Sequence, residues 1–266
     1  MKNKIREILG NKSTMKKLKQ VAYVSFLLVI VVISFSANSK KSNKSVDALI
    51  VDIAALPNGN RMIDTSDVFN IVELAFGSRL VGERISEIDE ARIERIISEY
   101  PMVEEADVYL NARDELQIRI IQKQPLLRVI ADNGLNYYMD NKGARIPLSK
   151  HVTERLLVVT GNVPPHVPDF METGPELLQD VFMLGNMIYE DKFFRTMIEQ
   201  IDVQGKDFVL IPKIGRQKIK FGTIEDAKGK LDRLKRFYKE VVSTTGWNKY
   251  KILDVRFDKQ VVCEKR

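Results

Sequence analysis

The side chains that usually carry chemistry are few here and widely spaced. The 266 residues include two histidines, His151 and His166, and one cysteine, Cys263. A zinc site needs three or four donors at short, recognisable spacings. Neither histidine has a metal-ligand companion at such a spacing, and both read as surface loop residues. Nucleophilic catalysis needs a histidine held beside a Ser or Cys, and no such set stands out. Gly10-Asn11-Lys12-Ser13-Thr14 lacks the full phosphate-loop pattern. Gly222 to Gly229-Lys230 has the wrong spacing and is followed by Leu231 where Ser or Thr is required. Glu87, Asp89, Glu90 and Glu94 form a charge run of the kind that coats a solvated helix face, and spacing alone picks out no general-acid pair. The lone Cys263 excludes an intramolecular disulfide and reads as a small apolar strand residue. No catalytic residue, metal or cofactor is expected.

Charge decides the next question. The sequence pI of 9.2 invites a nucleic-acid reading. Yet residues 1–20 hold seven basic side chains against the single acid Glu7, a net +6 that equals the net charge of the whole chain. Residues 21–266 therefore sum to zero. A nucleic-acid binder carries its positive footprint on the folded module; a basic tail before an apolar run marks membrane orientation. Lys19 and Lys40 bracket 20 uncharged residues, which as a helix span about 30 Å, one hydrocarbon core. The stretch Phe26 to Ile33 is apolar all round, unlike an amphipathic surface helix. A cleaved signal peptide is the alternative, given the small residues Ser34, Ser36 and Ala37. The long basic region before the run favours a retained anchor with its N-terminus inside.

The elements beyond the span follow from periodicity. Residues 38–45 read as a polar linker and Val46 to Ile53 as a strand. Asp64, Thr65 and Ser66 offer caps for a helix carrying Val68, Ile71, Val72, Ala75 and Phe76, stopped by Gly77. A second helix carries Ile93, Ile96, Ile97 and Tyr100 and ends before Pro101. Strands at 106–110 and 116–121 join through Asn111-Ala112-Arg113-Asp114, and Pro125 closes a β-α-α-β-β unit. Further strands are predicted at 126–131, 137–140, 156–160, 198–203, 208–211, 217–221, 252–257 and 260–263, with helices at 175–189 and 225–242. The fold class is α+β.

This order resembles the bacterial divisome family FtsQ, called DivIB in Gram-positive bacteria, and the β-α-α-β-β unit resembles a POTRA domain. The strings that carry the resemblance are Tyr138-Met139-Asp140-Asn141-Lys142-Gly143-Ala144-Arg145-Ile146-Pro147, then Leu157-Val158-Val159-Thr160-Gly161, then Lys220-Phe221-Gly222 before a Lys/Leu-rich helix, and Asp254 to Val262 at the end. The resemblance divides the chain into a cytoplasmic tail (1–19), a transmembrane helix (20–39), a linker (40–45), a POTRA-like domain (46–124) and a β domain (125–266). It implies a non-enzymatic scaffold of the inner membrane, single-pass, with its C-terminal domains periplasmic at the division septum. The implied partners are FtsB- and FtsL-like small coiled-coil proteins and the septal peptidoglycan synthases FtsW and FtsI. By that resemblance FtsB adds a strand beside the last strand, so the partner-binding residues are Arg256, Phe257, Asp258, Lys259, Gln260, Val261 and Val262. Asp258 and Lys259 read either as a turn or as a rim against unwanted pairing. Val255, Phe257, Val261 and Cys263 read equally as partly core. The polar tail that some relatives carry beyond the last strand is not expected. Two other readings stay open, a POTRA-bearing component of envelope transport or secretion and a membrane-anchored cell-wall enzyme. Only the latter requires a catalytic constellation.

Overall fold

The computed structural model describes residues 23–30 and 44–266. Residues 23–30 are helical, and their apolar side chains, Tyr23 to Ile30, are exposed on every side. Most of the span expected at 20–39, the tail before it and residues 40–43 lie outside the described residues. Among the described residues no helix is long and apolar enough to cross a membrane.

Beyond residue 44 the chain divides into two compact units. One holds residues up to Asp52 with Phe69–Ile96 and Asp107–Ile118; the other holds Ile53–Val68, Ile97–Ala106 and Arg119–Arg266. With the helix at 23–30 as α1, the elements up to residue 122 are β1 (Ala48–Ile53), α2 (Thr65–Phe76), α3 (Glu90–Ser98), β2 (Val103–Leu110) and β3 (Glu115–Gln122). The predicted β-α-α-β-β order is present, and its strands form one sheet in the order β1-β3-β2. Local chemistry accounts for the boundaries. Asp64 is the cap chosen for α2, its carboxylate accepting from Asp67 N at 3.0 Å, and Gly77, at φ 71°, ends that helix. Asp89 caps α3 through Arg92 N. In β3, Leu116, Ile118 and Ile120 are buried at alternate positions, as the period of two predicts.

The remaining elements are β4 (Pro125–Ala131), β5 (Asn136–Asp140), β6 (Arg145–Ile146), β7 (Leu157–Gly161), α4 (Phe170–Thr173), α5 (Glu176–Glu190), α6 (Lys192–Met197), β8 (Ile198–Gln204), β9 (Asp207–Pro212), β10 (Lys218–Gly222), α7 (Ala227–Phe237), β11 (Tyr250–Asp254) and β12 (Val262–Lys265). They form a nine-stranded mixed sheet ordered β12-β11-β10-β9-β8-β7-β4-β5-β6. The parallel pairs β7–β8 and β10–β11 each need a helical crossover, which α5 with α6 and then α7 supply. These helices bury Leu178, Val181, Leu184, Ile188, Leu231 and Leu234 against inward-facing Val129, Val159, Ile201, Leu210, Ile219 and Leu253. The approach is close: a Cβ at Gly185 of α5 would lie 2.6 Å from Leu127 Cδ2. Gly161 is equally constrained, at φ 92° with a would-be Cβ 2.2 Å from the Val203 carbonyl oxygen.

The structure departs from the prediction in three ways, in short elements, in one helix and in the last two strands. Pro125, expected to close the first unit, is also the first residue of β4, the position in a strand where proline is tolerated. The short elements α4, α6 and β6 carry too few residues for a period to register. The helix expected at 225–242 is α-helical only to Phe237, then widens into a π turn over Tyr238–Val242. The last two strands also sit later or end sooner than predicted: β11 stops at Asp254 instead of Phe257, and β12 starts at Val262 instead of Gln260. Asp254 ends β11 because its carboxylate turns back onto the backbone N–H of Arg256.

Candidate partner-binding site at the C-terminal hairpin

The terminal hairpin places the predicted partner-binding residues in two settings. Among the described residues β12 pairs with β11 only, in the register Asp254↔Val262, Leu253↔Cys263 and Ile252↔Glu264, so it forms the edge of the nine-stranded sheet. An edge strand presents alternate N–H and C=O groups that another strand can pair. Val262 lies on this strand, 45% exposed. The other six predicted residues, Arg256, Phe257, Asp258, Lys259, Gln260 and Val261, lie in the connection between β11 and β12. Asp258 and Lys259 form a turn, with Lys259 at φ 59°, which decides between the two readings open for them. Phe257 stands 46% exposed beside that turn, so it is not core. Val261 and Cys263 are half-buried against the core and Val255 is fully buried.

The connection is held from its base. Arg256 donates to both oxygens of Asp254, from Nε at 2.9 Å and from Nη2 at 2.6 Å, a bidentate pair. Burial pushes the Asp254 carboxyl up, but the bonds from the Arg256 side chain and N–H outweigh it and hold the pKa below the ordinary range. Val255 N donates to Lys220 O. From α7, Arg233 donates to Val255 O at 3.3 Å and to Asp226 at 3.1 Å, with Asp258 Oδ1 3.9 Å away. Gly222 lets the Arg256 stem pass: its φ is 75°, and a Cβ there would meet Arg256 Cγ at 2.9 Å. Lys230 is buried beneath, donating to Thr223 O and lying 5.2 Å from the Phe221 ring centroid; burial lowers its pKa. Sequence reasoning missed Arg233, Lys230 and Asp254 as supports. The Lys/Leu-rich helix string contained two of them, without a signal separating inward from solvated cations.

A second cluster involves His151, which sequence spacing left alone in a loop. His151 Nε2 lies 2.6 Å from Asp67 Oδ2, and Lys150 Nζ donates to Asp67 Oδ1 at 3.0 Å. Asp64 N also donates to Asp67 Oδ2. Asp64, Asp67 and His151 bring three donor atoms within 4.8 Å. Two ligands of one tetrahedral cation with bonds of ~2.1 Å lie about 3.4 Å apart, whereas the His151–Asp67 separation is that of a direct hydrogen bond. Lys150 already supplies the positive charge. The cluster is thus a hydrogen-bonded ion network tying the start of α2 to the 149–154 segment, where Ser149 Oγ also donates to Met62 O. His166 is no free loop residue either: its Nε2 lies 2.8 Å from Gly143 O and its ring meets Tyr137 and Phe170 edge-on.

The comparisons with known proteins follow this architecture. Residues 124–264 match the family model described as FtsQ/DivIB, C-terminal related, and residues 50–121 match a POTRA-like domain. The chain belongs to the FtsQ/DivIB family. FtsQ/DivIB proteins are non-enzymatic cell-division scaffolds that work with other division proteins. The FtsQ/DivIB match runs through the whole terminal hairpin up to Glu264, and so includes the edge strand and its connection. No curated protein matches the chain.

Proposed function

We propose that this chain is a division scaffold that captures FtsB- and FtsL-like partners by strand addition on β12 and couples them to the septal synthases FtsW and FtsI. The observation that carries the reading is the free edge of β12 beside an exposed Phe257. Main-chain pairing supplies affinity in strand addition, and a neighbouring aromatic anchor supplies a hot spot. Arg256, Asp258, Lys259, Gln260, Val261 and Val262 line the same end, with Val262 on the added-strand side and Val261 half-buried beneath. The proposed setting is the inner membrane at the septum. There the tail 1–19 is cytoplasmic, the helix 20–39 spans the bilayer, 40–45 is a linker, and a POTRA-like domain (46–124) and a β domain (125–266) lie in the periplasm. The exposed apolar helix at 23–30 supports a lipid environment for that segment.

Replacing Phe257 by Lys tests the site. Phe257 is exposed, so the variant is expected to melt like the wild type. Its capture of an FtsB-like partner in a pull-down should fall at least about tenfold. Full capture by the folded variant would remove Phe257 and its turn from the interface.

A further inference from the structure

The zero net charge of residues 21–266 hides a separation. Residues 213–266 carry 16 Lys and Arg against 7 Asp and Glu, a net +9, which residues 21–212 balance with −9. These last residues build β10, α7, β11 and β12 together with the turn before β10. Where this part meets α6 lies an open groove of about 770 Å³, lined by Phe193 and Met197 of α6 and by Ile214 of the β9–β10 turn, Trp247, Lys235 and Lys239.

Phe193 and Trp247 line the groove over the buried Tyr238. The Trp247 ring lies 5.6 Å from that of Tyr238, and Tyr238 lies 6.2 Å from Phe193. The π turn at Tyr238–Val242 sits at one wall, a widening of the helix that in many proteins marks a functional site. Apolar surface stays open: Ile214 is 56% and Trp247 38% exposed. Asp191 is already committed, accepting from Lys235 at 2.6 Å and capping α6. Among the described residues Lys239 has no carboxylate within ion-pair distance, and neither has Lys192 beside it; Glu190 is the remaining acid of the lining.

We infer that this groove is a second docking site, separate from the β12 edge, for an acidic amphipathic segment of a partner protein. Its apolar residues fill the space between Ile214 and Trp247, and its carboxylates meet Lys239 and Lys192. Charge complementarity selects this occupant: Lys235 is neutralised by Asp191, which leaves Lys239 and Lys192 against the single acid Glu190 at the rim of an apolar groove, and their ammonium groups attract an acidic segment and repel a basic one. Trp247 belongs to the residue types enriched in interface hot spots.

The chain contains one tryptophan, so Trp247 emission reports on this groove alone. The test uses the full chain in zwitterionic lipid nanodiscs. One synthetic helix-forming peptide carries a Leu stripe with Glu at its other positions; a second carries the same stripe with Lys. The Glu peptide is expected to shift Trp247 emission saturably and to bind more weakly as salt rises. The Lys peptide is expected to leave the emission unchanged. Ile214→Asp and Lys239→Glu, both at exposed positions, should each weaken the Glu peptide at least about fivefold, and Phe257→Lys should leave the response intact. Equal responses to both peptides, a response to neither, or wild-type binding by both folded variants would overturn the inference. So would an emission shift that tracks protein concentration without peptide, which would assign the groove to a second copy of the chain.

Discussion

Asp67 is a buried carboxylate that accepts from Lys150, His151 and the backbone N–H of Asp64. Burial raises its pKa, but the hydrogen bonds from Lys150, Asp64 N–H and His151 prevail and the net shift is downward. A carboxyl whose folded pKa lies below its unfolded value adds stability above the unfolded value, near 3.8, and loses it as pH falls through the folded one. Asp67→Asn should therefore cost about 1–2 kcal/mol in urea melts at neutral pH. The difference from wild type should shrink as pH falls below 4. A constant difference from pH 7 to pH 3 would show that shape, not charge, is what Asp67 supplies. Nothing in the sequence linked these groups. His151 stands 84 positions from Asp67, and a pattern search sees only neighbours along the chain.

At the scale of elements, the terminal hairpin depends on one short ion pair. Asp254 ends β11, holds Arg256 and so sets where Phe257 points. Asp254→Ala leaves Arg256 without its partner beside Gly222. The expected result is a hairpin that still pairs, because Leu253 and Val255 stay buried. Amide exchange over residues 256–262 should be faster, and partner capture weaker at unchanged global melting. Exchange at the wild-type rate would mean that Arg233 and Val255 hold the connection without Asp254. The long elements were legible because period and caps agree: β3, α2 and α5 all fall within a few residues of their predicted bounds. The helix of 225–242 was legible as a helix but not as a π turn. Its apolar spacing of three and four continues through Tyr238, and that period carries no mark of the widening, at whose first residue Tyr238 packs beside Phe193 and Trp247.

For the whole molecule, the proposed anchor makes a direct claim. The full chain should stay with membranes through alkaline carbonate washing, and protease added from the periplasmic side should reach the region beyond residue 44. Release of the intact chain by carbonate would remove the spanning segment from the reading. Charge acts at this scale as well. Residues 21–266, of zero net charge, split in sequence into a −9 portion up to residue 212 and a +9 portion after it; the second builds the hairpin and supplies Ile214, Lys235, Lys239 and Trp247 to the groove.

The sequence by itself determined the class of the molecule: the basic tail, the uncharged run, the β-α-α-β-β order and the family strings are all local patterns, and local patterns are what residue spacing encodes. Through the family resemblance it also directed the proposed partner-binding residues to the last strand pair and its connection. Tertiary structure decided how they divide, with Val262 on a true sheet edge, Phe257 in solvent and Val261 half-buried. It also decided which cations are buried supports and which are free, because Lys230, Arg233 and Lys239 are alike in sequence and differ only in what the sheet and its helices fold around them.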